Sequence, residues 1–263
     1  MPRIGIFDSG VGGLTVQRAI LDALPGLDTV YLGDTARVPY GTKSPEVVTQ
    51  YSIRNARLLL TQDVEMLVVA CNTASAVALA ALRAAFDIPV LGVVEPGVRA
   101  AARATRTGRV GVIGTQSTVA SGAYQRALAE LIPGVRVTAR ACPLFVPLAE
   151  EGWTDPDDEV VRLVARRYLA PVRAAGVDVV VLGCTHYPLL AGAIAAELPG
   201  VTLVDSAAAI AAEVAQRFPG AAAAEAAGTA SHLFFVTDTP DRFLAVAPRF
   251  LGRPVESARH VDV

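Results

Sequence analysis

Eight short apolar runs punctuate the chain: 4–7, 29–32, 66–70, 90–94, 110–113, 135–138, 177–182 and 201–204. Most are β-branched and continuous rather than alternating. That pattern predicts strands buried on both faces of a parallel sheet. Between them lie Ala/Leu/Arg-rich segments with helical spacing, at 44–60, 74–86 and 156–174. Regular alternation of strand and helix predicts an α/β architecture.

The pattern also repeats. Val64 to Cys71 resembles Val177 to Cys184, 113 residues on, and each cysteine precedes a polar pair, Asn72-Thr73 or Thr185-His186. Arg3-Ile4-Gly5-Ile6 is echoed by Arg109-Val110-Gly111-Val112 at an offset of 106. Val90 to Glu95 and Thr202 to Asp205 are both strand-like runs that end in an acid. Three matches in the same order predict two related halves. The division is expected near Pro96-Gly97, and the second half is expected to close near Asp205-Ser206. Helix-like Ala207 to Arg217 and strand-like Leu233 to Val236 then return to complete the first half. The expected domains are 1–97 with 207–263, and 98–206. Alanine-rich Gly220 to Gly228 reads as a surface connection.

Composition narrows the function. The 263 residues are 52% hydrophobic and 18% charged, a globular balance with ample material for a core. A net charge of −2 gives no case for nucleic acid as the main partner. No apolar stretch reaches the roughly 18 residues of a membrane span. Met1-Pro2-Arg3 runs straight into a strand, with no leader pattern, so the cytoplasm is the expected compartment. Lys43 is the only lysine, so any lysine Schiff-base chemistry would have to use it. The three cysteines, Cys71, Cys142 and Cys184, are too few and odd in number for a disulfide framework. No Cys-x-x-Cys occurs and the three histidines lie far apart, so no metal site is expected.

Ligands of open α/β sheets gather at the carboxyl ends of strands. The polar groups there are Asp8 and Ser9, Asp34, Cys71 with Asn72 and Thr73, Thr115 with Gln116 and Ser117, and Cys184 with Thr185 and His186. If the halves face each other, the two cysteines meet across one cleft. A thiol at a helix N-terminus is expected to have a lowered pKa. Opposed acid and base groups can remove a proton from one face of a carbon and return one to the other, which inverts a stereocentre. Cys142, before Pro143, reads as a buried bystander. A Cys/His hydrolase using Cys184 and His186 is an alternative, weakened by their closeness in sequence. A carboxylate-binding module with inert thiols is another. Asp8-Ser9-Gly10-Val11-Gly12-Gly13 follows a strand and enters a helix, where amides could hold an anion. Its third fingerprint position is Thr15, so it is not a dinucleotide motif, and the surroundings of Lys43 are not a Walker loop.

Eight motifs resemble the cofactor-independent aspartate/glutamate racemase superfamily, and within it the glutamate racemases. They are Ile6 to Thr15 (IFDSGVGGLT), Gly33 to Gly41 (GDTARVPYG), Ala70 to Ser75 (ACNTAS) and Gly92 to Gly97 (GVVEPG). The rest are Ile113 to Thr118 (IGTQST), Val146 to Gly152 (VPLAEEG), Leu182 to Leu189 (LGCTHYPL) and Thr237 to Phe243 (TDTPDRF). Together they span essentially the whole chain. The resemblance implies two pseudo-symmetric α/β domains with largely parallel sheets and an active site in the cleft between them. It implies interconversion of L- and D-glutamate for peptidoglycan, without a cofactor, in a homodimer. It assigns Cys71 to the α-proton of D-glutamate and Cys184 to that of L-glutamate. Asp8 would assist Cys71, and His186 would assist Cys184. Glu150 falls on a further acidic position, with Glu151 beside it as the alternative register. Asp8, Ser9, Tyr40, Gly41, Asn72, Thr73, Thr185 and His186 match substrate-holding positions. The aspartate and hydantoin racemases of the superfamily remain a related alternative, because two cysteines do not by themselves select side-chain length. Some family members bind DNA gyrase, which nothing basic here supports as a main role.

Overall fold

A computed structural model describes residues 2–222 and 230–263. The elements run β1 (Arg3–Asp8), α1 (Leu14–Ala23), β2 (Asp28–Gly33), α2 (Pro45–Leu60), β3 (Met66–Val69), α3 (Asn72–Ala85) and β4 (Val90–Gly92). Then come α4 (Val94–Ala104), β5 (Arg109–Gly114), α5 (Gln116–Ala120), α6 (Ala123–Leu131), β6 (Arg136–Ala141), α7 (Phe145–Glu151), α8 (Glu159–Ala174), β7 (Val179–Gly183), α9 (Ala191–Glu197) and β8 (Thr202–Asp205). The chain closes with α10 (Ser206–Arg217), β9 (His232–Val236), α11 (Pro240–Leu251) and β10 (Arg259–His260).

The strands form two sheets. One has the order β10-β9-β2-β1-β3-β4 and the other β6-β5-β7-β8. Every strand pairing among the described residues is parallel. The four-strand order β2-β1-β3-β4 of the first sheet recurs as β6-β5-β7-β8 in the second, so the repeat legible in sequence is a repeat of topology. The C-terminal strands β9 and β10 extend the first sheet beyond β2.

Both sheets are covered on both faces, which is why their strands read as continuous apolar runs. Ile4, Ile6, Met66 and Val68 pack under α1, α10 and α11, against Ile20, Ile210 and Phe250. Phe7, Val30, Leu67 and Val69 pack on the other face against Val48, Leu59 and Leu82 of α2 and α3. In the second sheet Val180 and Leu182 face Ala165 and Leu169 of α8, while Val110, Val112 and Val181 face Val98 of α4 and Leu128 of α6. The edge strand β6 is only half covered.

Local signals start the long helices where expected. Ser44 caps α2 by accepting from the Val47 N–H, with Pro45 at the first helical position. Asp158 caps α8 through the Val161 N–H, so that helix begins at Glu159 rather than at Pro156. Pro96 and Gly97, where the division is expected, lie inside α4, so the chain leaves the first sheet through a helix. The run from Val90 accordingly stops at Gly92, and Val94 already belongs to α4. It returns through a second helix, α10, which packs against α4. The alanine-rich stretch expected as a surface connection begins in a short 3-10 turn at Pro219–Ala222, and its remainder lies outside the described residues. Among those residues no helix is long and apolar enough to cross a membrane.

Candidate active site

The carboxyl ends of β1, β3, β5 and β7 converge on a cavity of about 200 Å³. The first half lines it with Ser9, Tyr40, Gly41, Cys71, Asn72 and Thr73, and the second with Cys184, Thr185 and His186. Cys71 and Cys184 are 5% and 6% exposed, so both thiols reach this space from an otherwise buried position. Pro39 and Thr42 of the first half, and Thr115, Gln116, Pro143, Val146 and Pro147 of the second, complete the wall. Thr115 and Gln116 stood out in the sequence as polar groups after a strand. The three prolines and Val146 gave no chemical signal, because they supply shape and exclude water rather than react. Lys43 does not line the cavity.

Close approach of the two halves explains Gly12 of the glycine-rich segment after β1. A Cβ on Gly12 would sit 2.3 Å from Thr185 Oγ1 and 2.4 Å from His186 Cε1, so a methyl group there has no room. Nearby, Thr15 Oγ1 donates to the Thr185 carbonyl at 3.1 Å. Gly41 meets Thr115 in the same way, with a Cβ placed 2.7 Å from Thr115 Cβ. These glycines are needed for contact between halves. Thr73, Thr115 and Thr118 close a triangle of hydroxyls, 2.9, 3.2 and 2.9 Å on its sides, that ties the start of α3 to the start of α5. Tyr124 donates to Asn72 Oδ1 at 2.6 Å.

Around Cys71 the partners are few. Its Sγ lies 3.7 Å from Ser9 Oγ. Asp8 is 1% exposed; its Oδ2 accepts from the Gly10 N–H at 2.8 Å, and its Oδ1 finds no protein partner. Burial pushes the Asp8 carboxyl up, against the nearby His186 and the main-chain N–H groups of Gly10 and Gly13. Cys71 is the residue before α3, yet its thiol is pushed up to about 12. Burial is the main cause and the Asp8 charge adds to it, outweighing the Ala74 N–H and Ser9. The expected lowering by a helix N-terminus is thus reversed, because desolvation of a buried thiolate exceeds what one helix end returns. Asp8 lies beside the cavity and does not line it.

Cys184 has different company. No α-helix follows it directly; a one-turn 3-10 helix runs Tyr187–Leu190 and α9 begins at Ala191. The His186 ring stands between two groups, with Nδ1 3.8 Å from Cys184 Sγ and Nε2 3.0 Å from Glu150 Oε1. Burial works against the His186 cation, but bonds to Cys184 and Glu150 outweigh it and raise the ring to about 10. Burial likewise opposes the Glu150 charge, and His186 then Arg242 bring its carboxyl below the usual range. Of the two registers left open in sequence, Glu150 faces His186 while Glu151 is exposed. Glu150 does not line the cavity.

Tyr40 and Gly41 are held by a buried network. The Tyr40 hydroxyl donates to Asp34 Oδ2 and accepts from Asn55 Nδ2 at 3.1 Å. Arg37 and Thr237 donate to Asp34 Oδ1 at 2.8 and 2.9 Å. Asp34, prominent in the sequence as a strand-end acid, is therefore engaged in shaping the Pro39–Gly41 wall. Cys142 is fully buried, with Sγ 3.7 Å from the Arg140 carbonyl, and burial pushes its thiol up to about 12.

Two thiols on one small cavity, reached from two sheets, is an arrangement that can serve proton transfer on opposite sides of a bound carbon. Comparison with known proteins agrees. The Asp/Glu/Hydantoin racemase family model matches residues 6–214. The chain belongs to this family. A glutamate racemase of Geobacter metallireducens is 57% identical over 251 residues, covering 95% of this chain and 92% of the relative. Among solved structures, glutamate racemase isoform RacE1 of Bacillus anthracis superposes with a TM-score of 0.91 at 39% identity, covering 100% of this chain and 98% of that one. Glutamate racemase of Francisella tularensis in complex with D-glutamate gives 0.90 at 34%, covering 99% and 97%. The two-sheet α/β architecture is thus that of solved family members along essentially its whole length.

Proposed function

We propose that the chain is a glutamate racemase that interconverts L- and D-glutamate by proton transfer at the α-carbon, without a cofactor. The observation that carries this reading is the meeting of Cys71 and Cys184 on one cavity, each from the end of an interior strand of a different sheet. The D-glutamate held by the Francisella relative supports the choice of substrate.

Cys71 takes the α-proton of D-glutamate, and Cys184 takes that of L-glutamate. Asp8 assists Cys71; His186, backed by Glu150, assists Cys184. Ser9, Asn72, Thr73 and Thr185 hold the substrate, together with the Tyr40 ring and the Gly41 main chain. Hydroxyls, amides and the N-terminus of α3 stabilise the charge that grows on the α-carboxylate as the proton leaves. The two bases must stand at contact distance from the α-carbon, and water must be kept out. Two domains, 1–97 with 207–263 and 98–206, would close on the substrate by a hinge between the sheets. The protein would act as a homodimer; the exposed Leu144, Trp153, Val160 and Leu163 of the second half offer apolar surface for it. Its D-glutamate would serve peptidoglycan synthesis in the cytoplasm.

The test is incubation with L-glutamate in D2O without added cofactor, followed by circular dichroism and the α-proton signal. Loss of optical activity with incorporation of deuterium at the α-carbon is expected. No exchange and no D-glutamate would overturn the reading, and exchange of aspartate in its place would move the chain to a neighbouring specificity.

A further inference from the structure

Glu150 looks away from the substrate cavity. It lines a second, smaller cavity of about 60 Å³, together with Gly10, Asp238, Thr239, Arg242 and Phe243. Asp238, Thr239 and Arg242 are exposed, so this space opens to solvent. Its volume is several times the roughly 10–15 Å³ that one water requires, and its polar groups can hold water. His186 lines the first cavity and not the second; Glu150 lines the second and not the first. Their 3.0 Å bond is therefore a link between the two spaces. The side chain of His186 is 7% exposed and that of Glu150 31%, a gradient from the thiol outward. Among the described residues, Cys71 has no such side-chain link between these two cavities. Its neighbour Asp8 is 1% exposed and lines neither cavity.

We infer that the Glu150 cavity is a proton port, through which the hydrogen held on Cys184 exchanges with solvent while the hydrogen held on Cys71 has no built route. The inference rests on the two-base reading above. The Cys184 thiolate is part of what holds His186 as a cation, so once Cys184 carries the proton the ring is neutral, with its hydrogen on Nε2. Sγ then gives its proton to the free Nδ1 as Nε2 releases its own to the Glu150 carboxylate. The carboxylate hands that proton to a water in the port. The reverse sequence returns a solvent proton, so no charge accumulates and only the isotope changes. His186 and then Arg242, which lines the same cavity, favour the ionised Glu150 carboxylate that this step requires as acceptor.

Carrying label from one substrate molecule to the next measures this exchange. In H2O, L-[2-2H]glutamate is mixed with D-[13C5]glutamate at saturation, and deuterium is sought in the newly formed L-[13C5]glutamate. That label has waited on Cys184. The mirror experiment, D-[2-2H]glutamate with L-[13C5]glutamate, reports label that waited on Cys71. Exchange through the cavity mouth is common to both, so the difference isolates the port. Carry-over through Cys71 is expected to exceed that through Cys184 by about tenfold, and Glu150→Gln is expected to bring the two within about twofold. Glu150→Asp, which keeps a carboxylate, restores part of the difference. Equal carry-over in the unaltered protein overturns the inference, even if Glu150→Gln does not fold, and so does a Glu150→Gln protein that keeps the full asymmetry. A protein that racemises no glutamate at all overturns the function and the port with it.

Discussion

Cys71 and Cys184 end equivalent strands, β3 and β7, in sheets of the same internal order, yet they are surrounded by opposite chemistry. At the offset of 106, Asp8 of the first half corresponds to Gly114 of the second; at the offset of 113, Thr73 corresponds to His186. The first half thus keeps an acid where the second has none, and the second keeps an imidazole where the first has a hydroxyl. Cys71 stands before a true helix and beside a buried carboxylate that raises its pKa. Cys184 stands before a single 3-10 turn and beside a His–Glu pair. Duplication of a scaffold places two thiols at matched positions. The partners that differentiate them arise partly as different residues at matched positions, Asp8 against Gly114 and His186 against Thr73, and partly from a separate element, Glu150 of α7.

The strongest way to break this comparison is to remove each thiol. Cys71→Ala and Cys184→Ala are each expected to lower racemisation by about 10³-fold or more, toward the upper end of what a positioned acid or base contributes. Steady-state polarimetry in both directions checks it, and substantial turnover by either variant would remove that cysteine from the pair. Next comes Gly12→Ala, which pushes a methyl group into Thr185 and His186. It is expected to cost about 1–3 kcal/mol of stability, the usual range for overpacking, with an accompanying fall in turnover. Urea unfolding and kinetics on the same sample would read both.

The asymmetry also has a pH signature. Folding raises the His186 pKa from 6.5 to about 10, so the folded protein binds that proton more tightly. Its contribution to stability is whole below pH 6.5 and is lost as pH rises to about 10. The Cys71 thiol, raised from 9.0 to about 12, extends the decline across the next window in the same direction. Denaturant midpoints of the unaltered protein should fall over the first window, and those of His186→Gln should fall less. A parallel decline in the two proteins would show that the imidazole is not the group responsible. The smallest effect expected is that of Cys142→Ser. Its sulfur touches a main-chain carbonyl and not the cavity, so turnover should stay within about twofold while stability falls by roughly 1 kcal/mol. A large loss of turnover would give the third cysteine a role.

Much of this was legible in the chain because burial on both faces leaves a plain mark. Seven of the apolar runs coincide with strands β1 to β5, β7 and β8 to within a few residues, and the eighth overlaps β6. The run at 135–138 stops short because β6 is a half-covered edge strand with Arg136 and Arg140 exposed, which breaks the apolar signal. The helix α4 was hidden by Pro96 and Gly97, residues that ordinarily punctuate; here they fall early in a helix, where Pro is tolerated. The short strand β10 carries only Arg259 and His260, both exposed, and has no hydrophobic mark at all. Of the candidate site residues, those beside the cysteines line the cavity. Asp8 and Glu150 stand behind it, a distinction of depth that a one-dimensional motif does not encode.

Gly12 has a consequence of a different kind. At this point the Thr15 hydroxyl draws the halves together through the Thr185 carbonyl, and how near they come is limited by an atom that is absent, the β-carbon of Gly12. Gly12 therefore acts as a spacer of minimum thickness. The approach of the halves beside Cys184 is set in part by a residue without a side chain. Enlarging that spacer by one carbon would widen the gap that a substrate's α-carbon has to bridge, so tolerance for larger substrates and loss of rate on small ones should arise together from the same position.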